Sequence, residues 1–255
     1  MNYLIIGEQC TDVFVYGRCD RLSPEAPVPV FEPLETKINV GMAGNVSANL
    51  HAIHKSANNT DYYIWEMLSD LTEMIKTRYV DKKSNHIFLR VDTGTKVSKR
   101  AIVGRYLKEK IMDSDVIIVS DYNKGFIDQD FIPELRKYAY DKPIFLDSKS
   151  KLTEQILEAV DFVKLNEPES KEIKFDLYEK MKNKIITTLG GRGAMYEEII
   201  YETKEVQTID VSGAGDTFVA GLVYEYMKSG DIKKAIKFAN KQASIVVTKR
   251  GVSTI

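Results

Sequence analysis

The stretch DVSGAGDTF, residues 210–218, sets two glycines around an alanine and a carboxylate directly after them. Apolar residues at helical spacing follow, in Phe218, Val219, Leu222, Val223 and Tyr226. Glycines ahead of a helix let backbone N–H groups converge on one point, and the helix's own unpaired amides and dipole add to that field. The chemistry this suggests is anion binding at Gly213, Ala214 and Gly215. Asp216 falls in the first helical turn beside the anion, where an acidic residue is also favoured simply by the dipole. A carboxylate repels a phosphate, so next to an anion hole it serves better as a base that takes a proton from an attacking hydroxyl. That layout suits phosphoryl transfer to a small hydroxyl compound.

Such a site needs a sheet edge to sit on. Short apolar runs, YLIIG at the start, DVIIVSD (115–121), IFLDS (144–148), DFVKLNE (161–167) and KIITTLG (184–190), read as strands buried on both faces. Amphipathic segments such as QDFIPELRKYAYD and KLTEQILEAV lie between them, which predicts an α/β fold: a doubly wound, mainly parallel sheet flanked by helices. Ligands in such sheets sit beyond the carboxyl ends of the strands, so Asp121, Asp147, Asn166, Glu167 and Gly190 are expected to share the working edge. Residues of about 12–40 and 86–103 have another texture, alternating or β-branched and punctuated by Pro24, Pro27, Pro29 and Pro33. They predict a small β-sheet lid closing over a substrate. The whole chain, 1–255, reads as one domain with that lid.

Composition narrows the class. The 255 residues are 44% hydrophobic and 29% charged, enough for a substantial core, with 36 Lys and Arg against 37 Asp and Glu. That balance offers no global attraction to nucleic acid or a membrane surface. The apolar runs are too short to span a bilayer, and MNYLIIGEQC lacks the features of a secretory leader, so a cytoplasmic protein is expected. Cys10 and Cys19 are read as ordinary thiols. His51 and His54, without a third ligand in view, are read as helix-surface residues rather than a metal site.

DVSGAGDTF also resembles the C-terminal signature of the PfkB, or ribokinase-like, carbohydrate kinases. DRLSPEAPVPVFEP (20–33), GMAGNVSANL (41–50), TRYVDKKSNHIFLRVD (77–92), SDYNKG (120–125), LDSK (146–149) and KLNEPE (164–169) are similar, in order, to the heptose 7-phosphate kinase branch, the kinase half of the bifunctional ADP-heptose synthesis enzymes. The Ser-Pro-Glu-Ala-Pro-Val-Pro run marks the branch, whereas Gly-Ala-Gly-Asp marks only the superfamily. The resemblance implies a ribokinase-like fold with ATP and Mg²⁺ as cofactors, and leaves open a monovalent cation near the anion hole. Asp216 would be the base for the anomeric hydroxyl of D-glycero-D-manno-heptose 7-phosphate or a close phosphosugar, with the amides of Gly213, Ala214 and Gly215 on the transferred phosphoryl group. Asn166 and Glu169 would place Mg²⁺ and phosphate, Glu169 through water, although Glu169 also reads as a helix N-terminal acid. Asp12, Gly41 and Asn45 would hold the sugar, Asn45 reading equally as a helix N-cap. Among the cations of the matched segments, Lys124 and Arg90 are preferred for substrate contacts over Arg78 and Lys149. The nucleotide would lie along Thr188, Gly190, Gly191 and Gly193 and near Asn240.

Departures from the family pattern shape the alternatives. Met42 replaces the second glycine of the sugar loop, and Glu8 stands where an aspartate is common. Between Ala57 and Thr77 the chain is short, so a strand and a helix are expected to be missing or replaced by DYYIWEMLSDLTEM. The nucleotidyltransferase half of the bifunctional enzymes is absent, which reads as a single-activity version. Alternatives are a fructokinase-like or ribokinase-like sugar specificity, or a catalytically silent relative that binds nucleotide or sugar. Exposed strand edges on the lid predict a homodimer.

Overall fold

The computed structural model describes residues 1–255. Its main sheet has eight strands: β1 (Asn2–Gly7), β4 (Tyr63–Leu68), β7 (Val116–Asp121), β8 (Ile144–Ser148), β9 (Phe162–Asn166), β10 (Ile185–Thr188), β11 (Ala194–Tyr196) and β12 (Ile199–Tyr201). Their spatial order is β12-β11-β10-β9-β8-β7-β1-β4, parallel from β10 to β4, with β11 and β12 added antiparallel. Apolar residues line both faces of each central strand because both faces are covered. Leu4, Ile6, Ile117, Val119, Leu146 and Val163 pack toward α2 (Arg105–Asp113), α3 (Phe131–Ala139) and α4 (Glu154–Ala159). Tyr3, Ile5, Val116, Ile118 and Phe145 pack on the other side, with α1 (Ala43–Ser56), α7 (Ala214–Ser229) and α8 (Ile232–Val246). Two short helices, α5 (Glu167–Ser170) and α6 (Phe175–Met181), connect β9 to β10. This is the mainly parallel, helix-flanked arrangement the alternation predicts.

The second sheet has four strands, in the order β3 (Glu32–Met42), β2 (Gln9–Arg18), β5 (Ile75–Asp81), β6 (Ile87–Thr93). It differs from the expected lid at both ends. Strand β5 belongs to it, although 75–81 lies outside both expected segments, and residues 94–103 contribute no strand. The parallel β2–β5 pairing is a long-range contact, which local texture does not announce.

The short stretch after Ala57 resolves differently from expectation. The strand is there as β4, pairing parallel with β1 at the sheet edge. What is lacking is a helix between β4 and β5; a turn over 69–74 carries the chain straight from one sheet into the other. The histidine expectation is corrected too: His54 is 1% exposed, stacked on Tyr62 and edge-on to Tyr3 and Tyr224, so it is a core residue of the α1 face.

Candidate active site

The strand register brings the polar strand ends together. Ser120 lies opposite Asp147, Asp121 opposite Ser148, Asp147 opposite Lys164 and Asn166 opposite Thr188. Helix α7 starts above this edge. Gly213, its N-cap, has φ +80°, and the amides of Gly213, Gly215 and Asp216 have no protein acceptor. The Ala214 N–H does not join them, since it donates to the Val211 carbonyl at 3.2 Å in the turn that launches the helix. Of the expected Gly213, Ala214 and Gly215 amides, the first and last are therefore free, and that of Asp216 takes the place of Ala214's.

Asp216 is 4% exposed. Its Oδ2 accepts from Asn45 Nδ2 at 2.9 Å and its Oδ1 from the Tyr122 hydroxyl at 2.5 Å. Burial pushes its carboxyl up to about 6, against the two hydrogen bonds; Asp147 adds to the rise and Lys164 opposes it. A base poised there is ionised at neutral pH yet retains a useful proton affinity. Lys164, itself buried, pairs with Asp147 at 3.0 Å beneath Gly215.

Of the two readings of Asn45, the N-cap is not realised, because Met42 is the N-cap of α1. Asn45 instead directs its amide at Asp216 and joins a network between helices, in which Asn49 Nδ2 donates to Asn45 Oδ1 and Thr217 Oγ1 donates to Asn49 Oδ1. Asn49 and Thr217 are not singled out by the sequence reading. The i,i+4 spacing of Asn45 and Asn49 is the available signal for a polar stripe on α1. Met42 has φ +61°, a conformation glycine adopts freely and an L side chain does not, so the departure from the family's second glycine is a point of backbone strain.

The inner face of the second sheet looks onto this edge. Asp12, buried, is paired with the Arg78 guanidinium, which also lies over the Phe14 ring. Gly41 leaves the space Asp12 Oδ2 occupies; a methyl there would come within 2.0 Å of it. Arg90 stands beside Arg78 in the ladder with its guanidinium held by both oxygens of Asp92. Lys124 lines neither of the cavities below, and its backbone is what matters: buried Glu8 accepts N–H bonds from Tyr122, Lys124 and Phe126 at 2.7, 3.1 and 3.1 Å, fixing the loop that carries Tyr122. Burial drives the Glu8 carboxyl upward, and these donors oppose it. Lys76 and Lys149 flank Tyr122, with ammonium groups 5.5 and 4.4 Å from its ring, and neither forms a salt bridge.

Two cavities meet at α7. One, of about 230 Å³, is lined by Thr188, Gly190, Gly193, Val206, Ala214 and Asn240 among others. The second carries Tyr122, Lys149, Lys164, Asn166, Glu169 and Asp216, and shares Thr188, Gly190 and Gly215 with the first. The residues expected at the nucleotide thus line one continuous cleft, with differing jobs. Gly193 has φ +96°, and a methyl there would strike the Tyr201 carbonyl at 2.1 Å, so its smallness serves strand packing rather than ligand approach. Asn240 Nδ2 donates to that same carbonyl at 2.6 Å. Asn166 and Glu169 form a reciprocal capping box, each side chain accepting the other's backbone N–H at 2.8 Å. The helix-acid reading of Glu169 is realised, and its Oε1 remains without a protein hydrogen bond. Glu169 lines the second cavity, and a single hard carboxylate oxygen is a donor of the kind that suits a Mg²⁺ keeping most of its waters.

Residues 132–255 match the family model described as pfkB family carbohydrate kinase. That stretch, a little under half of the chain, is similar to the PfkB carbohydrate kinases. The chain is 29% identical over 292 positions to the bifunctional protein HldE of a Nitratiruptor species, covering 98% of this chain and 62% of that one. It is also 29% identical to the HldE of Helicobacter pylori (strain Shi470), covering 97% and 63%. The chain thus spans somewhat under two thirds of these relatives. Since 292 aligned positions exceed its 255 residues, they hold stretches it lacks. Among solved structures, the fold is similar to Arabidopsis thaliana ribokinase complexed with ribose and ATP (TM-score 0.67, 14% identity, 98% and 93% coverage). It is similar also to Escherichia coli phosphofructokinase-2 in complex with potassium (TM-score 0.69, 13% identity, 98% and 93% coverage). No helix is long and apolar enough to cross a membrane.

Proposed function

We propose that the kinase transfers the γ-phosphoryl group of ATP to the anomeric hydroxyl of D-glycero-D-manno-heptose 7-phosphate or a closely related phosphosugar. The observation that carries this reading is the position of Asp216. It is buried, raised toward neutrality, and sits at the amide-lined start of α7, between the cleft that fits a nucleotide and the inner face of the second sheet.

In this mechanism Asp216 accepts the proton of the acceptor hydroxyl as its oxygen attacks phosphorus. The free amides of Gly213, Gly215 and Asp216 stabilise charge on the transferred group. Lys164 holds a positive charge under the same point, aimed by Asp147. Mg²⁺, when bound, would neutralise and orient the phosphates, with Glu169 holding it through water and Asn166 fixing the turn that presents Glu169. Asp12 and Gly41 form the wall the sugar meets, with Asp12 charged and aimed by Arg78.

Cations favour a phosphosugar over a neutral fructose or ribose. Lys76 and Lys149 are free of ion pairs, whereas Arg78 and Arg90 are matched by Asp12 and Asp92, so two uncompensated ammonium groups stand beside Tyr122, which a neutral sugar does not require. The similarity to HldE proteins points the same way. The decisive assay is ADP release with Mg-ATP over a panel of the heptose 7-phosphate, fructose 6-phosphate, fructose and ribose, beside Asp216→Asn. Turnover confined to a neutral sugar would overturn the substrate reading.

The outer face of the second sheet supports a homodimer. Ile38, Val13, Thr77 and Val91 form one row across it and Val15, Tyr79 and Leu89 the next, with Ile38 67% and Leu89 55% exposed. An apolar face of this kind next to the substrate wall is suited to a second copy of the chain.

A further inference from the structure

Tyr122 is the one side chain in the cleft whose hydroxyl occupies the place the mechanism reserves for the acceptor. Its O–H donates to Asp216 Oδ1 at 2.5 Å while Asn45 fills Oδ2. Each carboxylate oxygen thus has a protein donor. The geometry is built rather than incidental: buried Glu8 takes the Tyr122 N–H at 2.7 Å and pins the following loop, and Lys76 from the second sheet and Lys149 from just past β8 flank the half-buried ring.

We propose that Tyr122 is a positioning residue for the base: its hydroxyl aims the Asp216 carboxylate, keeps it ionised and excludes water from it until an acceptor hydroxyl displaces the phenol from Oδ1. The proposal rests on Asp216 being the base. A phenol is suited to the role because it cannot itself be deprotonated there. Burial first, then the charges of Asp216 and Asp147, push its ionisation well above the usual range, so it stays a donor. The groups facing the pair are Asp147 on β8, Lys164 on β9, Cys10 on β2, Lys76 on β5 and Lys149 just past β8. None of these donates to Oδ1, so removal of the phenol oxygen leaves that oxygen to solvent. A water placed there can lose its proton to Asp216 as its oxygen bonds to the γ-phosphorus and the bond to ADP breaks, which is futile hydrolysis.

The test is Tyr122→Phe, read in two ways. In a carbon-13 titration of aspartate carboxyls, the Asp216 midpoint should rise by about one to two pH units, the worth of one hydrogen bond to a charged group. The acid limb of sugar-dependent turnover should move with it. Sugar-free ADP release should rise about tenfold, a fraction of what a positioned base can supply, and the rise should vanish in Tyr122→Phe combined with Asp216→Asn. An unmoved midpoint, or sugar-free release equal to that of the wild type, overturns the proposal. A wild type that phosphorylates no sugar, beside a shifted midpoint, sinks the substrate reading while supporting the Tyr122 assignment. If the variant does not fold, the wild type decides. A slowly exchanging, low-field Tyr122 hydroxyl proton that is lost in Asp216→Asn supports the contact, and its absence from the unliganded protein refutes it.

Discussion

Gly213→Ala tests whether the start of α7 is built as described. Gly213 has φ +80° and ψ −1°, and a methyl added there would lie 2.6 Å from Asn45 Nδ2 and 3.3 Å from Val252 Cγ1. An L residue in this left-handed conformation costs about 1–2 kcal/mol. Asn45 is 1% exposed and cannot swing into solvent, so its donation to Asp216 is broken, a further ~1.5–3 kcal/mol for a hydrogen bond to a charged group. A total near 3–5 kcal/mol should lower Tm by roughly 10 °C in a chain of this size. Without Asn45 the Asp216 carboxyl should climb from about 6 by about one to two units, so the ionised fraction at pH 7 drops from about nine tenths to between about a half and a tenth. That part of the rate loss should be recovered at pH 9. Displacement of the Gly213 amide should add a pH-independent loss of about tenfold or more. Gly230→Ala is the control: it ends the same helix at φ +67° with no atom near a new Cβ, so it carries strain alone. Thermal denaturation and a pH–rate profile of both variants decide. If Gly213→Ala matches Gly230→Ala in Tm and in profile, the described coupling of Gly213, Asn45 and Asp216 is wrong.

Further outcomes follow from other contacts. The wild-type rate should fall about tenfold per pH unit below about 6, because Asp216, raised by burial, is then protonated and cannot act as base; a flat profile from pH 7 to 5 would exclude it from that role. His54 is held down to about 4 by burial, then by the N-terminus and His51, while the unfolded chain protonates near 6.5, so the unfolded state takes up the proton first as pH falls. Stability should therefore drop by up to about 3 kcal/mol between pH 6.5 and 4, and denaturant titrations of His54→Phe should show a shallower slope over that window. Lys76→Ala and Lys149→Ala should each raise KM for a phosphosugar about tenfold while leaving KM for ATP near wild type, the worth of a charge-assisted contact; equal effects on both would place these lysines elsewhere. Ile38→Glu, on the exposed outer face of the second sheet, should convert a dimer into a monomer in sedimentation experiments, and an unchanged mass would locate any self-association on another surface.

Features that depend on neighbours along the chain were legible in the residues alone. Apolar runs that must be covered on both sides announced β1, β7, β8, β9 and β10, and their polar last residues announced the working edge. The glycines and aspartate of 213–216 announced a helix start, because φ +80° and unpaired first-turn amides are local properties. The cleft lined by Thr188, Gly190 and Asn240 was legible through the family resemblance. Pairing across distance was not legible, and it waited for the packed molecule. Tyr122 reaches Asp216 over 94 residues and Arg78 reaches Asp12 over 66, contacts set by strand order and register that no spacing encodes. The same holds for the recruitment of β5 beside β2, the survival of β4 as an edge strand, and the burial of His54 among tyrosines. A side chain's type limits what it can bind, but the packing of two sheets chooses its partner. Here that choice turned Asn45 toward Asp216, set Arg90 on Asp92, and left Lys76 and Lys149 free of ion pairs.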